Sequence, residues 1–307
     1  MPDWTAFGAV AGLILSLVLG LAWITSGALG GSRDPPDDLH SPDDTATSDG
    51  IGASEGAEAN DKAESTDSAT PRSATVPTEH AESDPDMEQV TEPTAAPEPA
   101  RNDGVDSIPT AALLANVALT HGGLGLLLLG VAALTGIPTE AFGVTAATWS
   151  TGALAILGGI GLGLALAALN VGIAASFDRI GIEYSEDLRS ALAPESTAGW
   201  LLLLVVILPL VAGFEELLFR AVLIGVAATA TGLSPWLFVV PATIAFALGH
   251  GLQGKGGIAV TGLLGGALGV AFVVTDSLAL VVIAHYVVNA VEFLLKERLG
   301  WEFGRTD

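Results

Sequence analysis

Seven apolar stretches punctuate this 307-residue sequence, and they restrict what it can fold into more than any other feature. They run over about Trp4–Leu29, Ile108–Gly136, Thr151–Phe177, Gly199–Thr231, Pro235–Gly251, Gly257–Thr275 and Ser277–Leu295. A helix needs roughly 20 apolar residues to cross the ~30 Å hydrocarbon core of a bilayer. Within lipid every backbone polar group must be satisfied internally, which leaves helices or closed barrels. Runs of this length predict an all-α, polytopic transmembrane bundle of about seven helices. Gly199–Thr231 is too long for one perpendicular crossing, and a split at Pro209 or Gly213 would raise the number to eight.

Charge is segregated. Only 15% of residues are charged and half are hydrophobic, yet the formal net charge is -23. Of the 34 acidic residues, 20 fall between Gly30 and Ser107. That segment is rich in Ser, Thr, Ala and Pro and nearly free of large apolar side chains. It cannot bury enough surface to offset its conformational entropy, so a long disordered acidic linker is expected. The resulting organisation is an N-terminal transmembrane helix (1–29), the linker (30–107), a polytopic membrane domain (108–298) and a short polar tail (299–307). The first helix lacks the basic flank of a cleavable signal peptide and reads as retained.

The acidic balance resembles the halophilic style of composition, in which dense carboxylates keep a surface hydrated at high salt. No basic patch exists, which argues against a nucleic-acid partner. With no cysteine, thiolate nucleophiles, disulfides and Cys-type zinc sites are excluded. Small-residue spacings (Gly159-x-x-x-Gly163, Gly262-x-x-x-Gly266, Gly265-x-x-x-Gly269) suit close helix packing, and none follows a strand as a phosphate-binding loop would. Arg179, Arg189, Lys255, Lys296, Arg298 and Arg305 share one side if Gly199–Thr231 crosses once. By the positive-inside rule that side is cytoplasmic. Trp200 and Trp236 read as interface anchors.

Against this apolar background the ionisable residues stand out. Glu215-Glu216-Leu217-Leu218-Phe219-Arg220 places two carboxylates and a guanidinium at bilayer depth. Each costs roughly 2.5–3.5 kcal/mol at a helix centre even on lenient scales, so such groups pair, face a wet cavity or do chemistry. Glu216 and Arg220, at i, i+4, can neutralise each other. Glu215 is then the carboxylate free to act as a general base on water. Counting from the Gly232 turn, Glu215 and His250 both lie roughly 22–24 Å away, level with each other. His285 is nearer mid-membrane, and Asn289, one helical turn on, approaches the level of Glu215. All four can line one cavity open to the cytoplasmic side, with Phe246 packed beside His250. His121 with Asn116 has two readings, an interhelical hydrogen bond or a functional group.

The ordered set Glu-Glu-x-x-x-Arg, Phe-x-x-x-His and His-x-x-x-Asn on successive membrane helices resembles the CPBP family. Its members are the type II (Rce1-like) CAAX prenyl proteases and the bacteriocin-processing or immunity relatives called Abi proteins. The resemblance covers about Thr197 to Leu295 and implies an intramembrane endopeptidase acting on membrane-anchored substrates, prenylated CAAX-type peptides among them. It implies Glu215 and His250 as activators of the hydrolytic water, His285 and Asn289 as oxyanion donors, and Glu216, Arg220 and Phe246 as supports. The family is described both as a metalloprotease and as a metal-free glutamate protease. A zinc ion, if one is used, would fall to Glu215, His250 and His285. Ala221 follows the motif arginine where the family often has glycine.

Two other classes compete. A scaffold or immunity factor would keep the fold and dispense with Glu215 and His250. A proton-coupled transporter would use the buried carboxylates, but it calls for internal repeats that this sequence lacks.

Overall fold

The computed structural model describes residues 1–30, 109–180 and 187–300. The acidic linker and the polar tail expected from the sequence lie outside the described residues from 31 to 108 and beyond 300. Among the described residues there is no strand. Seven helices carry the architecture: α1 (Trp4–Gly30), α2 (Thr110–Leu134), α3 (Ala153–Ile180), α4 (Thr197–Thr231), α5 (Trp236–Gly249), α6 (Gly254–Thr275) and α7 (Leu278–Arg298). Six of them are long and apolar enough to cross a membrane. The seventh, α5, has 14 residues and reaches only about 21 Å.

Burial is inverted relative to a water-soluble domain. Leu13, Leu126, Leu157, Val205 and Leu237 are exposed, whereas Glu216, Arg220 and His285 are buried. A surface of that kind is stable against lipid. α4 is the hub, with every residue from Leu217 to Val222 buried, as expected for a helix packed on all sides.

The 35 residues of α4 form one continuous helix, so the split at Pro209 or Gly213 does not occur. Two π-helical stretches explain why. Over Leu203–Ile207 the hydrogen bonds widen, and the Leu208 N–H reaches back to the Leu203 carbonyl just before Pro209. That loosened turn accommodates the proline ring without breaking the helix. A second stretch, Leu217–Val226, begins directly after Glu216.

Glycine stripes set the helix spacings. On α3, a Cβ at Gly159 would fall 2.7 Å from the Leu280 carbonyl oxygen, and one at Gly163 would fall 2.6 Å from Val287 Cβ. α3 therefore lies backbone-to-backbone against α7. On α6, Gly262 and Gly266 face Ala247 and Thr243 of α5. Gly265 faces Phe246 and Arg220.

The height of α7 is fixed by the connection between α2 and α3. Ser150 Oγ accepts from the Thr145 N–H and donates to the Gly143 carbonyl. Ser277 Oγ donates to the Ser150 carbonyl and caps α7 by accepting from the Leu280 N–H at 3.1 Å. The Leu278 N–H donates to the Gly143 carbonyl. Asp276 closes α6 with φ of 47°, a left-handed conformation that aspartate tolerates better than most residues.

Trp200 departs from its expected role as an interface anchor. It is buried among Leu114, Leu203 and Phe293, and Arg298 lies over its ring. Trp236 is half exposed at the start of α5.

Candidate active site

Glu216 and Arg220 meet as their spacing predicts, with Arg220 Nη1 donating to Glu216 Oε1 at 2.6 Å and both side chains buried. Arg220 Nη2 donates to the Gly265 carbonyl at 3.0 Å, and the guanidinium lies 4.3 Å over the Phe246 ring. Two hydrogen bonds and an aromatic face thus replace water around a buried cation. Glycine at 265 is required by this packing, since a Cβ there would be 2.7 Å from Phe246 Cδ1.

The same carboxylate oxygen anchors a second group. His285 Nδ1 lies 2.7 Å from Glu216 Oε1. A carboxylate accepts, so Nδ1 carries the proton and the opposite ring edge, Nε2, is turned to Glu215. His285 Nε2 is 3.6 Å from Glu215 Oε2. That oxygen is buried and makes no hydrogen bond within the described residues, which leaves it free to accept from a substrate water.

Phe246 organises the other histidine. Its ring centroid is 4.7 Å from that of His250 and 5.9 Å, edge-on, from that of His285. His250 Nδ1 donates to the Phe246 carbonyl at 2.9 Å. Phe246 contacts Arg220, so one turn further along the antiparallel helix His250 stands level with Glu216, as the count from Gly232 requires. His250, His285 and Asn289 line a cavity of about 60 Å³, room for a few waters; Glu215, expected on the same cavity, is not among its lining residues and meets it only through His285.

The expected depth of α7 was wrong by about two helical turns. His285 itself, and not Asn289, reaches the level of Glu215. The Gly232 and Asp276 turns are not equally deep. The Asp276 turn instead packs at the level of Gly225, where a Cβ on Gly225 would strike the Ala141 carbonyl and come 3.2 Å from Phe272. From that level nine residues lead to His285 on α7 and nine to Glu216 on α4, about 13 Å each. Asn289 lies one turn beyond, on the wall of the cavity.

The residues do not fit a three-ligand metal centre. Among the described residues no group of three or more His, Asp or Glu side chains is placed to hold a metal ion.

A member of the site that the sequence left open comes from α2. His121 Nε2 is 3.8 Å from Glu215 Oε1, and Nδ1 donates to the Val117 carbonyl and not to Asn116. Its only signal in the sequence was a polar side chain within an apolar span.

Residues 197–291 match the family model described as type II CAAX prenyl endopeptidase, Rce1-like. The chain carries an Rce1-like domain. That model describes a protease family, and with six described helices long and apolar enough to cross a membrane it supports a membrane protein with a peptidase-type domain. Neither the curated proteins nor the solved structures provide a match. The Rce1-like segment contains Glu215, Glu216, Arg220, Phe246, His250, His285 and Asn289, while His121 lies outside it.

Proposed function

We propose that the chain is an intramembrane endopeptidase that hydrolyses membrane-anchored peptides, prenylated CAAX-type substrates among them, with Glu215 as general base. The observation that carries this reading is the unsatisfied Glu215 Oε2 beside His285 Nε2, with His285 oriented by Glu216. In the proposed reaction Glu215 Oε2 takes a proton from water as the water oxygen bonds to the substrate carbonyl carbon. The carbonyl electron pair moves onto oxygen. An Nε2–H of His285 and the Asn289 amide donate to that oxyanion. Collapse breaks the C–N bond, and the proton on Glu215 passes to the leaving amine. His250, on the cavity it shares with His285 and Asn289, helps to hold the water.

The cavity opens to the cytoplasmic side in this reading. Arg189, Lys255, Lys296 and Arg298 gather at the end of the bundle opposite the Gly232 and Asp276 turns, in keeping with the positive-inside rule. The test is cleavage of a fluorogenic, membrane-anchored peptide by purified protein, with and without chelator. Cleavage should survive chelation and fall at least ~100-fold in Glu215→Ala. A Glu215→Ala protein as active as the wild type would overturn the assignment and favour a scaffold role.

A further inference from the structure

We infer that His121 is a positioning residue for Glu215, contributed from outside the Rce1-like segment; the inference rests on Glu215 acting as the base. Three histidines converge here, and each is anchored at Nδ1: His121 on the Val117 carbonyl, His250 on the Phe246 carbonyl and His285 on Glu216. Two of the remaining Nε2 atoms flank the Glu215 carboxylate, one at each oxygen. His121 faces Oε1 at 3.8 Å and His285 faces Oε2 at 3.6 Å.

The tautomer follows from the anchor. The Val117 carbonyl can only accept, so His121 Nδ1 carries a proton. A bare Nε2 facing an ionised carboxylate would set two acceptors against each other. The pairing that an ionised Glu215 needs is therefore an Nε2–H of His121 facing Oε1 across 3.8 Å, an ion-pair distance. Glu216 is neutralised by Arg220 in the same way, which explains how adjacent carboxylates persist in an apolar helix. Phe214 keeps the ring in place, edge-on at 5.4 Å, and itself packs against Gly125 one turn along α2. The charged and titratable groups around the pair are Glu216 and Arg220 on α4, His250 at the end of α5 and His285 on α7. With Oε1 engaged by His121, Oε2 is the oxygen left for water.

Two substitutions test this. His121→Phe keeps the aromatic packing and removes the nitrogen; His121→Gln returns an N–H donor near the position of Nε2. Since positioned acid–base groups are worth ~10²–10⁴-fold, His121→Phe should lower kcat about 10- to 100-fold with KM within about twofold. His121→Gln should recover activity to within about fivefold of wild type. In a Glu215→Gln background His121→Phe should cost nothing further. A fully active His121→Phe protein, or a Gln variant as poor as Phe, overturns the inference. If the wild type cleaves no peptide, the endopeptidase reading fails and the pairing is judged by thermal unfolding in detergent. His121→Phe should then shift Tm in the wild-type background and not in Glu215→Gln. Equal shifts in both would overturn the pairing.

Discussion

His285 Nδ1 lies 2.7 Å from Glu216 Oε1, so the second carboxylate of the pair, itself held by Arg220, sets the orientation of the histidine beside the first. Adjacent glutamates thereby divide their work by geometry. Successive residues on a helix point about 100° apart. Glu216 turns into the core toward Arg220 and His285, and Glu215 turns toward the cleft between α2 and α7.

Removing one charge of the buried pair should cost far more than removing both. Glu216→Gln leaves Arg220 buried and uncompensated, and a loss of about 3–5 kcal/mol is expected in detergent unfolding. The double variant Glu216→Leu with Arg220→Met should recover most of that loss, because apolar replacement of a buried pair is often neutral or stabilising. Peptide cleavage should stay low in the double variant, since His285 Nδ1 has lost its acceptor. Recovery of cleavage along with stability would show that Glu216 does not orient His285.

Gly265 should tolerate no side chain. Alanine there would place Cβ 2.7 Å from Phe246 Cδ1 and 3.3 Å from Arg220 Nη2. Overpacking of this kind costs about 1–3 kcal/mol. Because Phe246 also braces His250, kcat should fall as well. Gly213→Ala on α4 is the control: nothing lies within 4 Å of its Cβ, so a gain of about 0.5–1 kcal/mol is expected from the helix interior. Thermal unfolding of the two variants should move in opposite directions.

The sequence revealed what depends on one helix or on spacing along it. Glu216–Arg220 was legible because i, i+4 is a fixed distance on any helix. That Gly159 and Gly163 mark a close helix approach was legible because small residues allow it, while the partner, α7, was not. The His285–Glu216 bond was not, since it depends on how high one helix sits against another. That height is set by Ser150, Gly143 and Ser277, loop residues with no periodic signature. His121 was ambiguous for the same reason: nothing local says which helix α2 faces. The continuity of α4 was hidden because a π-helical turn, unlike a proline, leaves no mark in composition.

The α3–α7 spacing should control the chemistry without touching it. Gly163→Ala would set Cβ 2.6 Å from Val287 Cβ and 2.7 Å from the Ala284 carbonyl oxygen. α7 must then shift outward and carry His285 and Asn289 with it. A misplacement of about 1 Å can cost ~100-fold in rate, so a large loss in kcat is expected in a protein that still folds. Gly161→Ala, with open space around its Cβ, should leave cleavage unchanged. Equal kinetics for the two variants would show that α3 does not position α7.

Asp276 makes a pH-dependent contribution with a definite sign. It lies exposed in the turn between α6 and α7, and partial desolvation there pushes its carboxyl above the ordinary aspartate range. A group whose folded pKa is raised binds its proton more readily in the folded state, so its share of stability is greatest at low pH and falls as pH rises through the folded pKa. Asp276→Asn removes that ionisation while keeping a residue that accepts the left-handed backbone at φ of 47°. The Asn variant should therefore unfold at a higher temperature than wild type near neutral pH, and the gap should close as pH is lowered through the aspartate range. Asp276→Val should instead be less stable at every pH, because a β-branched side chain is strained at positive φ. A gap between Asn and wild type that stays constant with pH would mean that the carboxylate at this turn is fully solvated, and that the clamp holding α7 at its height does not desolvate it.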